Sequence, residues 1–232
     1  MARLDRRLKL VARLASARQR EKLGLFVCEG EDLLEAARAE GVEPVELLVA
    51  GEDVDATQLA SVSSLAYPAR VIAVFARSVL QQTVAREGPG IALWRVADPG
   101  NVGTLIRSVD ALGGAFVALS EGCADPTGPK AVRASMGAFF RVPLLRFDEA
   151  PRPWVALVPR GGREPRALER GAYVLGGERE GLPPNVLARC DERMTIPVVA
   201  PAESLNVAMA GTIALYEASQ RRATQIMSSP PS

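Results

Sequence analysis

The sequence predicts an α/β protein, a parallel sheet clad in helices and preceded by a smaller α/β unit. Three observations carry this. Short apolar segments alternate with helical ones along nearly the whole chain. In the second half the strand segments are apolar almost without interruption, the pattern of strands buried on both faces. The turn-rich stretch QQTVAREGPG (81–90) separates two alternating series and places a boundary near residues 80–90.

The first series opens with a basic helix over 4–22, followed by a strand FVCEG (26–30) and a helix EDLLEAARAEG that Gly41 ends. VELLVA (45–50) reads as a strand, DATQLASVSSL (55–65) as a helix and RVIAVFA (70–76) as a strand. The second series predicts strands IALWRV (91–96), AFVAL (115–119), FRVPLL (140–145), WVALV (154–158), AYVLG (172–176) and MTIPV (194–198). Helices are expected over 102–112, 129–137, 183–189 and 204–222, the last opening on a Ser204 cap and closing on two arginines. That last helix is apolar nearly all round in its first half, which predicts burial or a subunit interface. The expected division is 1–85, 86–225 and a disordered tail, 226–232.

Composition narrows the chemistry. The 232 residues are 48% hydrophobic and 24% charged, with a formal net charge of +1, as in a globular protein. No apolar run reaches the roughly 18 residues of a membrane span, so no membrane association is expected, and the N-terminus lacks a secretory signal. Cys28, Cys123 and Cys190 are odd in number and far apart, which predicts free thiols and a cytoplasmic location. The chain has no histidine, so a Ser-His-Asp triad, a Cys-His pair and a histidine-ligated zinc are excluded, and no metal is expected. The charge is uneven. Residues 1–22 carry Arg3, Arg6, Arg7, Lys9, Arg13, Arg18, Arg20 and Lys22 against Asp5 and Glu21, a patch able to neutralise phosphates or simply a solvated helix face. Asparagine occurs only at 101, 185 and 206, and two of these fall within the motifs below.

Three stretches stand out. DPGNVGTLIR (98–107) joins a strand to a helix and offers Asn101 and Arg107, which at six residues apart share a face only if Asn101 precedes the helix. LGGEREGL (175–182) puts three glycines after a strand, implying close backbone approach, or else a plain tight turn with Glu178 and Glu180 in solvent. IPVVAPAESLNVAMA (196–210) runs through a proline-bounded loop into a helix whose start holds Ser204 and Asn206. Bent loops after successive strands suit a crevice at the carboxyl edge of a parallel sheet.

In this order and spacing the three motifs, with KAVRASMGA (130–138) between the first two, resemble the SpoU/TrmH branch of the SPOUT RNA methyltransferases over about residues 90–222. Upstream, RLASARQREKLGLFVCEGEDLLEAA resembles the small L30e-like RNA-binding domain that often precedes that catalytic domain. The resemblance implies a SPOUT-type sheet with a deep C-terminal trefoil knot, a homodimer, and S-adenosyl-L-methionine as cofactor. It implies cofactor contacts from Leu175, Gly176, Gly177, Ile196 and Leu205. The implied reaction is methyl transfer to a ribose 2′-hydroxyl, of ribosomal RNA rather than transfer RNA. Arg107 is its central residue, Asn101 orients Arg107 or the ribose, Glu178 pairs with Arg107 within one subunit or across two, and Ser204 and Asn206 stand nearby. RNA contacts are expected from Arg133 and Ser135 and, in the N-terminal arm, from Arg7, Arg18 and Arg20. The alternatives are a transfer-RNA enzyme, base methylation in the same fold, a non-catalytic RNA-binding relative, and a Rossmann-type nucleotide enzyme, for which no dinucleotide fingerprint is present.

Overall fold

A computed structural model describes residues 5–81, 86–201 and 203–228, and the side chains of all of these except Gln81 and 222–228. The chain builds two sheets. In the first, β1 (Leu25–Glu29), β2 (Glu46–Val49) and β3 (Val71–Ala76) lie in the order β1-β3-β2, with both pairings antiparallel. Around it are α1 (Arg6–Leu14), α2 (Ala17–Leu23), α3 (Glu31–Ala39) and α4 (Ala56–Ala60). The single helix expected over 4–22 breaks at Ser16, whose backbone is extended. The cause is legible: Leu8, Val11 and Leu14 seat α1 on the sheet, and no large apolar residue continues that stripe until Leu23. The helix expected over 55–65 stops at Ala60, because Ser64 gives its amide (3.0 Å) and hydroxyl (2.5 Å) to Glu29 instead.

The second sheet has six strands, β4 (Pro89–Trp94), β5 (Val117–Leu119), β6 (Leu144–Arg146), β7 (Trp154–Leu157), β8 (Gly171–Gly176) and β9 (Glu192–Met194). Their order is β6-β5-β4-β8-β7-β9 and every pairing is parallel, as the apolar strands predict. Alternate residues face opposite layers. Ile91, Leu93, Tyr173 and Leu175 join one core, while Ala92, Ala172 and Val174 meet Phe147 and Trp154 in another. Helices α5 (Pro99–Ala111) and α8 (Val207–Ser228) cover the first face. Helices α6 (Pro129–Ser135) and α7 (Pro184–Leu187) complete the set.

Several boundaries differ from expectation. The strand expected over 140–145 is a 3-10 turn, Ala138–Phe140, followed by β6, because Phe139 and Phe140 are buried as a wedge and Pro143 has no amide for a ladder. The strand expected over 194–198 is β9, shifted to 192–194 ahead of Pro197. The last helix starts at Val207, not 204, and continues through Ser228, so the expected tail begins inside it; residues 229–232 lie outside the described residues, as do 82–85 of the expected linker.

The two sheets share a core. One face of the first sheet, Val27, Ile72 and Val74, packs on α1 and α4. The other, Phe26, Ala73 and Phe75, packs on the second unit. Phe26 meets Phe139 edge-on at 5.5 Å between centroids, and Phe75 meets Phe140 likewise at 5.2 Å. Each such pair stabilises by about 0.5–1.5 kcal/mol beyond its burial. The first unit is thereby docked beside α6 and the loop after β5, where Asp125 meets Arg20 and Arg77, at the same carboxyl edge as the loops after β4, β7 and β8.

Candidate active site

The polypeptide leaves β4 and enters α5 through Asp98, whose Oδ1 accepts the amides of Gly100 (2.6 Å) and Asn101 (3.1 Å) while Pro99 takes the first helical position. Lys130 reaches the same carboxylate at 2.9 Å, and its hydrogen bond, chiefly, holds Asp98 below the usual carboxylate range. Asn101 is therefore inside the first helical turn and not in a preceding loop. Six residues later, Arg107 emerges from a different face, exposed. Within the chain Asn101 does not orient Arg107, and Glu178 does not pair with it; among the described residues Arg107 has no hydrogen-bonding or ionic partner.

Asn101 does something else. Its Nδ2 donates to Glu178 Oε1 at 2.9 Å, and its Oδ1 accepts from Asn206 Nδ2 at 3.1 Å. Glu178 also accepts the amides of Ala97 and Asp98, at 3.3 Å each. Partial burial raises the Glu178 carboxyl, but the bonds from Asn101 and these amides outweigh it and leave the group below its ordinary value, charged at neutral pH. Asn206 Oδ1 accepts the amides of Ala208 (2.8 Å) and Met209 (3.3 Å), so Asn206 caps α8 in place of the expected Ser204, which is exposed. One side chain from each motif is thus joined in a chain, Glu178–Asn101–Asn206.

The two loops so joined enclose a cavity of about 640 Å³ at the carboxyl ends of β7 and β8. Leu175, Gly176, Gly177, Ile196 and Leu205 all line it, together with Glu178, Ser204 and Asn206; Asn101 and Arg107 do not. Its volume falls within the roughly 300–1,000 Å³ of small-molecule sites, and its walls are mostly aliphatic, with backbone groups between. Gly176 is indispensable to its shape, since a Cβ there would lie 2.1 Å from the carbonyl carbon of Gly181. Sequence reasoning missed Leu157, Val158 and Pro159, which follow β7 and form part of the wall. Their position at the carboxyl end of a parallel strand was the available signal.

The predicted RNA contacts divide. Arg20 is buried, its guanidinium bonded to Asp125 and to the carbonyls of Leu14 and Ala15, so it joins the two units and is withdrawn from any ligand. Ser135 is buried too, and its hydroxyl donates to Val132 O at 2.7 Å. Arg133 donates to Ser64 Oγ at 2.9 Å and Arg7 is paired with Asp5 at 3.0 Å, both part-exposed, while Arg18 is exposed. No group of side chains that could hold a metal ion occurs among the described residues, and no described helix is long and apolar enough to cross a membrane.

Fold and site together define a class: an α/β enzyme domain with a small-molecule cleft at the carboxyl edge of its parallel sheet, docked on an accessory N-terminal unit. Residues 89–216 match the SpoU rRNA Methylase family, and the chain belongs to it. It is 28% identical over 230 residues to a 23S rRNA (guanosine(2553)-2′-O)-methyltransferase of Bacillus subtilis, covering 88% of this chain and 92% of that one. Among solved structures it is similar to an AdoMet-bound rRNA methyltransferase from Sinorhizobium meliloti, with 26% identity, a TM-score of 0.82 and coverage of 94% and 95% of the two chains. The SpoU methyltransferase AviRb of Streptomyces viridochromogenes, in complex with AdoMet, is 25% identical with a TM-score of 0.82, covering 95% of this chain and 99% of that one.

Proposed function

We propose that this protein transfers a methyl group from S-adenosyl-L-methionine to a ribose 2′-hydroxyl of ribosomal RNA. The observation that carries this reading is the cavity itself. Five residues named from the motifs line it, in a chain that belongs to a methylase family. The relatives named as 23S rRNA enzymes support rRNA over transfer RNA.

The residues present suit the cofactor. Leu175, Ile196 and Leu205 give apolar walls for an adenine ring, and the loop backbones between them offer donors and acceptors to its edge. When bound, the sulfonium supplies an electrophilic methyl group. The Glu178–Asn101–Asn206 chain holds both loops closed on the cleft, so Asn101 and Glu178 shape the site. Arg107 clamps the phosphate beside the acceptor ribose and stabilises negative charge developing on O2′. A guanidinium keeps its protons in proteins, so the hydroxyl proton leaves to phosphate or water.

Arg107 lies outside the cavity of its own chain, and α8 leaves Met209 and Tyr216 exposed. Both support a homodimer in which Arg107 of a second copy completes each site. The 1–85 unit serves as an L30e-like reader of RNA shape.

Arg107→Ala tests the core of the reading. Tritium-methyl transfer to protein-free rRNA falls by about 10²–10³-fold, while calorimetric affinity for S-adenosyl-L-methionine stays within about twofold, because no cavity residue changes. Normal turnover by this variant would remove Arg107 from the mechanism. Transfer to tRNA alone would replace the rRNA reading with the transfer-RNA one.

A further inference from the structure

Two residues other than glycine hold positive φ among the described residues, Met136 at 49° and Arg95 at 52°. Met136 closes α6, where left-handed geometry is a normal helix end. Arg95 has no such reason. It is the first residue beyond β4, and it stops the strand that the sequence extends to Val96.

Its surroundings fix it there. The Arg95 amide donates to Ser120 Oγ at 2.9 Å, and Ser120 is itself tied to Leu93 O at 2.9 Å. Gly177 packs so closely over Arg95 that a Cβ at 177 would stand 2.7 Å from the Arg95 carbonyl oxygen. The loops after β5 and β8 thus over-determine a backbone geometry that glycine adopts at no steric cost and arginine does not.

The fold gains little from an arginine there. The side chain is exposed, and its stem passes beside Gly122. The guanidinium carbon is 5.9 Å from the Trp94 ring centroid, at the outer limit of cation–π contact. No carboxylate or carbonyl among the described residues binds it. Its position is informative. Two residues on, Ala97 gives its amide to Glu178 of the cofactor loop. β5, whose following loop meets Arg20 and Arg77 of the N-terminal unit through Asp125, and β8, which leads into the cleft, flank β4. An RNA held by that unit and reaching the cleft crosses the carboxyl end of β4.

We propose that Arg95 binds a phosphate of the RNA strand as it enters the active site, and that this contact is why an arginine occupies a left-handed position. The proposal rests on the reading of the protein as an RNA methyltransferase. Arg95→Gly in the full chain separates it from a structural role, since glycine relieves the backbone. Expected are unchanged or higher thermal stability and S-adenosyl-L-methionine affinity within about twofold by calorimetry. Binding of an in-vitro 23S rRNA transcript weakens about tenfold at low salt, and the log Kd against log salt slope falls by about 0.7–0.9, one phosphate's worth. KM for the transcript rises while kcat holds, and Arg95→Lys keeps the wild-type slope. An Arg95→Gly protein with wild-type affinity and slope overturns the proposal, as does one that loses stability and cofactor affinity together. A wild-type protein that neither binds nor methylates the transcript, yet binds the cofactor, overturns the rRNA reading and the proposal with it.

Discussion

Arg20→Met removes a guanidinium whose side chain is only 5% exposed and retains much of its apolar stem. In the folded chain Nε and Nη2 each lie 2.9 Å from Asp125 Oδ2, and Nη1 donates to Leu14 O and Ala15 O at 2.9 Å each. Breaking a buried ion pair from one side costs about 3–5 kcal/mol, because the remaining charge is left without its partner. Asp125 is 21% exposed and keeps the Thr127 amide (2.9 Å) and hydroxyl (2.6 Å), with Arg77 at 3.6 Å. The cost therefore falls near the lower end, about 3 kcal/mol, which for a chain of this size lowers Tm by roughly 6–12 °C. Urea and thermal unfolding at pH 7 measure it. The pH dependence gives a second check. Burial raises the Asp125 carboxyl, but Thr127, Arg77 and Arg20 together outweigh it and hold it below its ordinary value. A depressed folded pKa gives stability that is present above the unfolded value near 4 and is lost as pH falls through the folded one, so the gap between wild type and variant narrows below about pH 4. A variant with wild-type Tm but weakened RNA binding would refute the argument and return Arg20 to the phosphate-contacting role its place in a basic arm suggests.

Two further substitutions probe the scaffold of the site. Asn206→Ala removes the cap of α8 and the bond to Asn101, and is expected to cost about 1 kcal/mol in urea unfolding while weakening calorimetric cofactor binding; unchanged affinity would show that the joined motifs do not shape the cleft. Gly103→Ala places a Cβ 2.3 Å from Ala131 O and 2.7 Å from Ala134 Cβ, so α5 and α6 must part at a cost of about 1–3 kcal/mol; an unshifted urea midpoint would show that the contact is not tight.

Much of this was legible in the chain because local chemistry carried it. Apolar strands announced the parallel sheet, and two bent loops after successive strands announced the cleft. What escaped depended on partners remote in sequence. Arg20 reads as one more cation in a basic arm, yet its partner Asp125 is 105 residues away. Ser135 sits in a polar-looking motif, but on the buried side of α6. The antiparallel order β1-β3-β2 follows from which strands meet, and strand and helix segments alone do not state that. Asp98 was the avoidable miss, since an acidic residue before proline at a helix start is a local signal, and it moves Asn101 into the helix.

That displacement changes what the motifs are for. With Asn101 in the loop, the first motif would be a pair of catalytic groups on one surface. With Asn101 capped into α5, its two hydrogen-bonding ends are used within the chain, one on the loop after β8 and one on the start of α8. Its neighbour six residues on is left to face outward. One short helix therefore has two ends in use: its first turn fastens the loop after β8 to the start of α8, while Arg107 is presented away from them. A rigid helix makes these two functions interdependent, because anything that tilts α5 to adjust Arg107 also strains the Glu178–Asn101–Asn206 chain. In a homodimer with Arg107 acting on the neighbouring cleft, closing the loops in one subunit would fix the position of the cation that serves the other.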